Sequence, residues 1–313
     1  MKVEDIRPES AMTGQAAAQQ LDVDWLADRA RQFVHAACPA CGLDAPTYLY
    51  TKYGMRHVLC ECRTQYVTPR PTGAMLAEFY AQSANYAYWA KYVFPASANA
   101  RRALFRRRAQ HTASLPRDIH RGTMVEVGAA YGWYCEEVRA LDLFDSIVAI
   151  EPTPDLANQC RSQGFEVVES SYERAELNDV ALIAAFEVIE HLYDPGHFLR
   201  WCHGALARNG VVLMTCPNIR GFETMILGAE SGAVDHEHIN LFTPESLTLL
   251  LRNCGFEPFE VSTPGELDVD IVRRSGKDVG PFLSACVERG EGFQRFLHEN
   301  RLSSNLRIAA RAV

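Results

Sequence analysis

The chain has 313 residues, long enough for one sizeable α/β domain plus an accessory module, and its 48% hydrophobic and 22% charged content is that of an ordinary globular protein. A formal net charge of −8 excludes a general polyanion binder, because nucleic-acid affinity needs several phosphate-neutralising cations on one face; a small phosphorylated substrate stays allowed. No apolar run approaches the roughly 20 residues that span a bilayer and residues 1–5 carry no signal-peptide core, so the expected location is the cytoplasm. There the ten cysteines are expected as metal ligands or buried thiols rather than disulfides.

Four segments are expected: 1–34, a leader and N-terminal helix; 35–70, a cysteine-rich module; 71–118, a helical linker; and 119–313, an α/β domain. The alanine- and glutamine-rich first twenty residues read as a poorly ordered leader. Leu21, Trp25, Leu26, Ala30 and Phe33 then recur at helical spacing. Cys38 and Cys41 form a knuckle closed by Gly42, and Cys60 and Cys62 follow across a hairpin-like stretch rich in Tyr, Thr and Val. Four sulfurs in two pairs fit a tetrahedral structural zinc, with two unrelated pairs of free thiols as the other reading. Helices are expected over 71–89 and 98–112. The second carries Arg101, Arg102, Arg106, Arg107 and Arg108, either a solvated basic face or a clamp for an anionic or carrier-bound substrate.

From residue 120 strands and helices alternate, which calls for a doubly wound parallel sheet. Strands are expected near 123–127, 146–150, 165–168, 180–186, 210–215, 256–262, 267–273 and 305–311, and helices near 132–141, 154–163, 195–207, 244–254 and 281–299. The first strand runs into Gly128-Ala129-Ala130-Tyr131-Gly132, a turn whose glycines permit φ > 0 and close approach of a ligand, before a helix offering free N–H groups. Some twenty residues on, the second strand ends in Glu151, where a carboxylate can hold both hydroxyls of a ribose. The spacing is G-x-x-x-G rather than the dinucleotide fingerprint, so a nucleoside cofactor without a pyrophosphate is indicated.

These residues resemble class I S-adenosylmethionine-dependent methyltransferases. Glu126, Gly128 and Gly132 match the first motif of that family, with alanine at 130 in place of glycine. The resemblance continues in the family's order through Glu151-Pro152, 186–195, 210–218 and 238–243, over roughly residues 120 to 313. It implies a Rossmann-like doubly wound seven-stranded sheet with an N-terminal zinc ribbon and a helical lid, similar to ribbon-bearing bacterial small-molecule and sugar methyltransferases. It implies a cofactor site of Glu126, Gly128, Ala130, Gly132, Glu151, Pro152, Ser171, Tyr172, Phe186 and Glu187, with Ser171 and Tyr172 at the adenine.

Glu187, Glu190 and His191 share one face if the turn after their strand is helical. Similar E-x-x-E-H arrangements bind a cation in ubiquinone-pathway O-methyltransferases and small-RNA 2′-O-methyltransferases, which implies a second divalent ion here, to which Asp235-His236-Glu237-His238 could add another ligand. The alternative is general-base catalysis by His191 or His238, with Glu187 and His236 as further catalytic candidates. His236, His238, Asn240 and Phe242 are expected to face the cleft, or the histidines to cap the helix at Pro244. The loop 219–234 is expected to cover the site. Cys135, Cys160, Cys202, Cys216, Cys254 and Cys286 have no metal spacing and read as small hydrophobes. The resulting expectation is methyl transfer from S-adenosylmethionine to a small-molecule acceptor of a specialised-metabolite or sugar pathway, oxygen first and carbon or nitrogen next. The rival is a non-catalytic zinc-ribbon adaptor on a degenerate Rossmann-like domain.

Overall fold

The computed structural model describes residues 1–116 and 121–313, so the expected boundary at 118/119 lies outside the described residues. Strands β1 (Thr47–Lys52), β2 (Met55–Leu59) and β3 (Gln65–Val67) form an antiparallel ribbon sheet. Next come β4 (Thr123–Val127), β5 (Ser146–Ile150), β6 (Glu166–Val168), β7 (Val180–Phe186) and β8 (Leu206–Pro217), all mutually parallel. The chain then makes β9 (Asn240–Leu241), β10 (Phe256–Ser262) and β11 (Asn305–Ala312). The large sheet runs β10-β11-β8-β7-β4-β5-β6, with β11 antiparallel to both its neighbours.

Every residue of β7 is buried, as a central parallel strand covered on both faces requires. In β8 the alternation sorts side chains onto two cores: Val212, Met214 and Cys216 face one cluster, Val211 and Leu213 the other. The first cluster also takes in Cys38, Ala40, Val58, Cys60 and Tyr66, so the ribbon is packed into the core of the α/β domain. Its sheet is completed by β9, which pairs with β3 from far along the chain. Arg70 donates to the Asn240 side chain at 2.9 Å, and Asn253 donates to the Ala40 carbonyl at 3.1 Å, closing the same seam.

Several expectations are corrected. Residues 267–273 form a helix, Asp268–Ser275, so the large sheet has seven strands. The apparent alternation lasts only to Ile271, and Val269 and Val272, three apart, bury one face against Phe222, Val287 and Leu297. The last helix breaks at Gly290, φ 55, into Gly280–Glu288 and Glu291–Glu299. The first twenty residues are helical and docked: Val3 donates to Asp270 at 2.9 Å, and Arg101 reaches the Ile6 carbonyl at 3.2 Å. The 219–234 loop contains the helix Phe222–Leu227, which packs onto the C-terminal helices, while the far end of the loop meets His238 through the Ala233 carbonyl. The helix Pro244–Asn253 is capped by Thr243 with Ser246, each side chain accepting from the other's backbone N–H; neither histidine caps it. Among the described residues no helix is long and apolar enough to cross a membrane.

Candidate functional site

Because β4, β5, β7 and β8 are parallel, their carboxyl ends lie on one edge of the sheet, where open α/β folds hold ligands. At the end of β4 the chain turns sharply, with φ of 73° at Gly128, 47° at Ala130 and 66° at Gly132. A Cβ at Gly128 would stand 3.0 Å from Val188, and one at Gly132 3.1 Å from the Cys160 sulfur. Ala130 accepts the left-handed conformation at a cost of about 1–2 kcal/mol. Its N–H is held by the Glu151 carboxylate at 2.8 Å, whose other oxygen takes the Thr153 N–H at 2.9 Å.

Burial raises the Glu151 carboxyl above its ordinary range, against the lowering effect of those two N–H groups. Exposed Pro152 follows it. Glu126 is turned onto the helix Trp133–Ala140, where it accepts from the Cys135 thiol at 3.0 Å, and burial pushes its carboxyl up to about 8. It supports the turn instead of facing the open side.

The segment 84–97 lies over this turn. Tyr131 donates to the Ala90 carbonyl at 2.5 Å and stacks on Trp133. A cavity of about 60 Å³ between Phe94, Arg101, Phe105 and residues 129–131 sits against the turn. Tyr86 lies near Glu151, and burial, then that carboxylate, raises its phenol. Ser171 is exposed, but Tyr172 is not in the cleft. Its ring packs on Phe198 and Trp201 and its hydroxyl meets His197 Nδ1 at 3.1 Å, so the expected adenine contact from Tyr172 is withdrawn.

At the end of β7, Phe186 lies under the Arg108 guanidinium at 4.5 Å, and Glu187 follows at φ 56°. One Glu187 oxygen takes the Thr215 hydroxyl at 2.6 Å, the Asn305 amide at 3.0 Å and Arg108 at 3.5 Å. Glu187 therefore does not join Glu190 and His191 as a ligand, and His238 stands in that place: one ligand atom from each of Glu190, His191 and His238 lies within 4.8 Å of the others. The 3₁₀ turn covers only residues 189–191, and Glu187 precedes it in the left-handed region at φ 56°, so the helical spacing that would align it with Glu190 and His191 does not extend to it.

Both Glu190 oxygens are buried without a hydrogen-bond partner, and burial, reinforced by Glu187, holds the carboxyl well above its usual range. His191 Nδ1 meets the Tyr80 hydroxyl at 3.0 Å; burial, then the neighbouring His238, hold its imidazole down to about 3. His238 Nδ1 lies 2.8 Å from the Ala233 carbonyl, which assigns the N–H to Nδ1 and leaves the lone pair on Nε2. One carboxyl group and two imidazoles are a sound donor set for a divalent cation.

His236 is elsewhere. Its side chain is fully enclosed, edge-on to Tyr53 and Phe79, with Asp235 on Nδ1 at 3.0 Å and Glu237 and Asp22 at 3.3 and 3.7 Å from Nε2. Against the opposing effect of burial, Asp22 and Asp235 raise its imidazole to about 10, so it does not serve as a base in the cleft. Asn240 and Phe242 are also fully buried, Asn240 donating to the Leu192 carbonyl at 2.7 Å.

The basic helix Ala98–Ala113 uses its charges within the chain: Arg102 on Glu136, Arg106 on Glu137, Arg107 on Glu266, and Arg101 on the Phe94 and Trp89 rings. Arg108 reaches Glu187 and Thr215 at the strand ends, and Arg101 lines the cavity against the turn. Tyr80, Thr215 and Asn305, which contact His191 and Glu187, were not singled out as site residues by the sequence, and of the expected arginine clamp Arg108 contacts Glu187.

The four ribbon cysteines converge, Cys38 to Cys62 and Cys41 to Cys60 each at 3.5 Å and all four sulfurs within 4.8 Å. A tetrahedral zinc with bonds of about 2.3 Å sets sulfurs roughly 3.8 Å apart, so the donor set fits that ion. Of the remaining cysteines, five are buried, and Cys286 lines an open apolar groove of about 540 Å³ with Phe282, Phe293 and Phe296.

A family model described as a methyltransferase domain matches residues 97–261. A Mycobacterium tuberculosis protein named as an S-adenosylmethionine-dependent methyltransferase is 24% identical over 135 residues, 42% of this chain and 48% of that one. The ubiquinone biosynthesis O-methyltransferase of Xanthomonas euvesicatoria pv. vesicatoria is 25% identical over 155 residues, 44% of this chain and 64% of that one. The chain thus spans between about half and just under two thirds of the length of these curated relatives. Among solved structures, a chain of the complex between the Haloferax volcanii Trm112 methyltransferase activator and its methyltransferase superposes with a TM-score of 0.50 at 17% identity, covering 72% of this chain and 96% of that chain, a likeness of fold.

Proposed function

The chain belongs to the methyltransferase-domain family, and from that premise we propose that it transfers a methyl group from S-adenosylmethionine to a small-molecule acceptor, an oxygen acceptor first. The observation that carries this reading is a juxtaposition. The Gly128–Gly132 turn, Glu151, and the Glu190–His191 pair follow the parallel strands β4, β5 and β7 at one sheet edge, and His238 joins that pair from the stretch before β9. The turn would receive the methionine part of the cofactor and Glu151 its ribose hydroxyls, with Phe186 and Glu187 beside the sulfonium. Residues 71–116 act as the lid and substrate wall, Tyr86 and Tyr131 meeting the cofactor side.

Methyl transfer is an in-line displacement, so the protein must hold donor and acceptor together and remove the acceptor's proton. His238, whose Nδ1 is engaged by the Ala233 carbonyl, presents Nε2 as the proton acceptor, while His191, held low by burial, is the weaker base of the two candidates. Arg108, Thr215 and Asn305 fix the Glu187 carboxylate in one place. The unpartnered Glu190 oxygens and the His238 Nε2 lone pair fit a divalent cation, which when bound would orient an acceptor hydroxyl and lower its pKa.

Calorimetric titration with S-adenosylhomocysteine, followed by label transfer from S-adenosylmethionine to a panel of phenols, sugars and amines, tests the proposal. Stoichiometric binding and labelling of hydroxyl compounds are expected. A chain that ignores S-adenosylhomocysteine would overturn it in favour of the adaptor, and labelling of amines alone would overturn the oxygen assignment.

A further inference from the structure

We propose that Asp22, His236 and Glu237 form a structural divalent-cation site that fastens the N-terminal helix Gln15–Arg29 to the 235–238 stretch. Nothing in the chemistry of methyl transfer requires this cluster, which is buried and assembled from residues more than two hundred positions apart. One ligand atom from each residue lies within 4.8 Å of the others, and all three residues are buried.

The tautomer is set from outside the trio. Asp235 faces His236 Nδ1 at 3.0 Å, which places an N–H there and turns Nε2 toward Glu237 and Asp22, where a bound cation would take the place of a proton. A carboxylate on the far nitrogen of a ligating histidine is the usual support of a metal site. Nε2 is buried and makes no hydrogen bond. It lies 3.3 Å from a Glu237 oxygen and 3.7 Å from an Asp22 oxygen. Ligands about 2.0–2.2 Å from one zinc-sized ion stand roughly 3.3–3.6 Å apart, close to the separations found.

The carboxylates are also aimed. Asp22 accepts from the Ser83 hydroxyl at 2.6 Å, the Ala84 N–H at 2.8 Å and the Asn85 N–H at 3.0 Å, and Glu237 accepts from the Asn85 amide at 2.9 Å. Three carboxylates around a single imidazole leave a buried excess of negative charge, which is costly in a low-dielectric interior and which a divalent cation neutralises. One imidazole and two carboxylates suit a borderline ion such as Zn²⁺. The bridge would join helix Gln15–Arg29, the break between helices at Ser83–Asn85, and the loop whose next residue is His238.

Native mass spectrometry of the full chain at buffered free Zn²⁺ tests the site. The parent is expected to hold one more zinc than Glu237→Gln, which keeps an acceptor for the Asn85 amide. Equal zinc counts in two folded proteins would overturn the proposal. If Glu237→Gln does not fold, Asp22→Asn supplies the same comparison, and a parent that never exceeds the single ion of the four cysteines overturns the site without any variant. The Glu190→Gln protein separates this site from the cleft: its loss of an ion leaves the difference between parent and Glu237→Gln intact.

Discussion

Two histidine clusters grow from the same tetrapeptide, Asp235-His236-Glu237-His238, and they are electrostatic opposites. His238 meets a second imidazole and one unpartnered carboxyl at the rim of the cleft, where burial and mutual repulsion keep His191 neutral. His236 meets three carboxylates in a sealed chamber, where they outweigh burial and favour positive charge. The contrast teaches that residue type does not assign a role. What decides is which other elements pack against each side of the strand, and whether their polar groups are left unpaired, as at Glu190, or aimed and filled, as at Asp22.

The largest expected effect removes the frame that both clusters share. Strand β9 continues directly from His238 and pairs with β3 of the ribbon, whose cysteines lie in the main core. Cys60→Ser is therefore expected to release zinc and lower stability by on the order of several kcal/mol in one cooperative transition. Calorimetry of the whole chain checks this; a separate small transition, with the main one unmoved, would show the ribbon to be an independent unit.

Glu190→Gln tests one cluster alone. Methyl transfer to the acceptor found by labelling should fall on the order of 100-fold, while the melting temperature holds, since the carboxyl has no hydrogen bond to lose. Unchanged initial rates would remove Glu190 from the reaction.

Glu151→Ala leaves both clusters intact and strikes the cofactor side. Loss of the ribose acceptor and of the anchor for the Ala130 N–H should weaken S-adenosylhomocysteine binding by about 1.5–3 kcal/mol, on the order of 10- to 100-fold. A dissociation constant matching the parent's would place the ribose elsewhere.

The smallest effect lies at an ordinary ion pair remote from this contrast. Glu260 of β10 sits between His111 at 3.0 Å and Arg307 at 2.9 Å, which together overcome burial and hold its carboxyl down to about 2. Because the folded state favours the carboxylate, the unfolded chain takes up the proton first as pH falls. The stabilisation is full above the ordinary carboxyl value of 4.5 and is lost between there and about 2. Partial exposure limits it to about 1 kcal/mol. Glu260→Gln should lower the melting temperature by a few degrees at neutral pH and by progressively less through that window; a constant difference across it would mean that the charge is not what matters.

Much of the fold was legible in the chain because it is written locally. The continuous apolar run of β7, the turn from Gly128 to Gly132 and the acidic end of β5 each depend on neighbours in sequence, as do the two cysteine knuckles. The misread stretch 267–273 shows the limit of this: five alternating residues satisfy a strand and a helical turn equally well, and the partners of Val269 and Val272 decided between them.

What sequence alone determined, then, was the parallel sheet, the place of the cofactor turn and the convergence of four sulfurs, since periodicity, glycine and thiol spacing act over short range. Tertiary structure alone decided that His238 and not Glu187 completes the trio, that Tyr172 turns into the core, and that His236 is enclosed by Asp22. Those outcomes rest on contacts between distant segments, where desolvation and charge pairing depend on neighbours that no local pattern specifies.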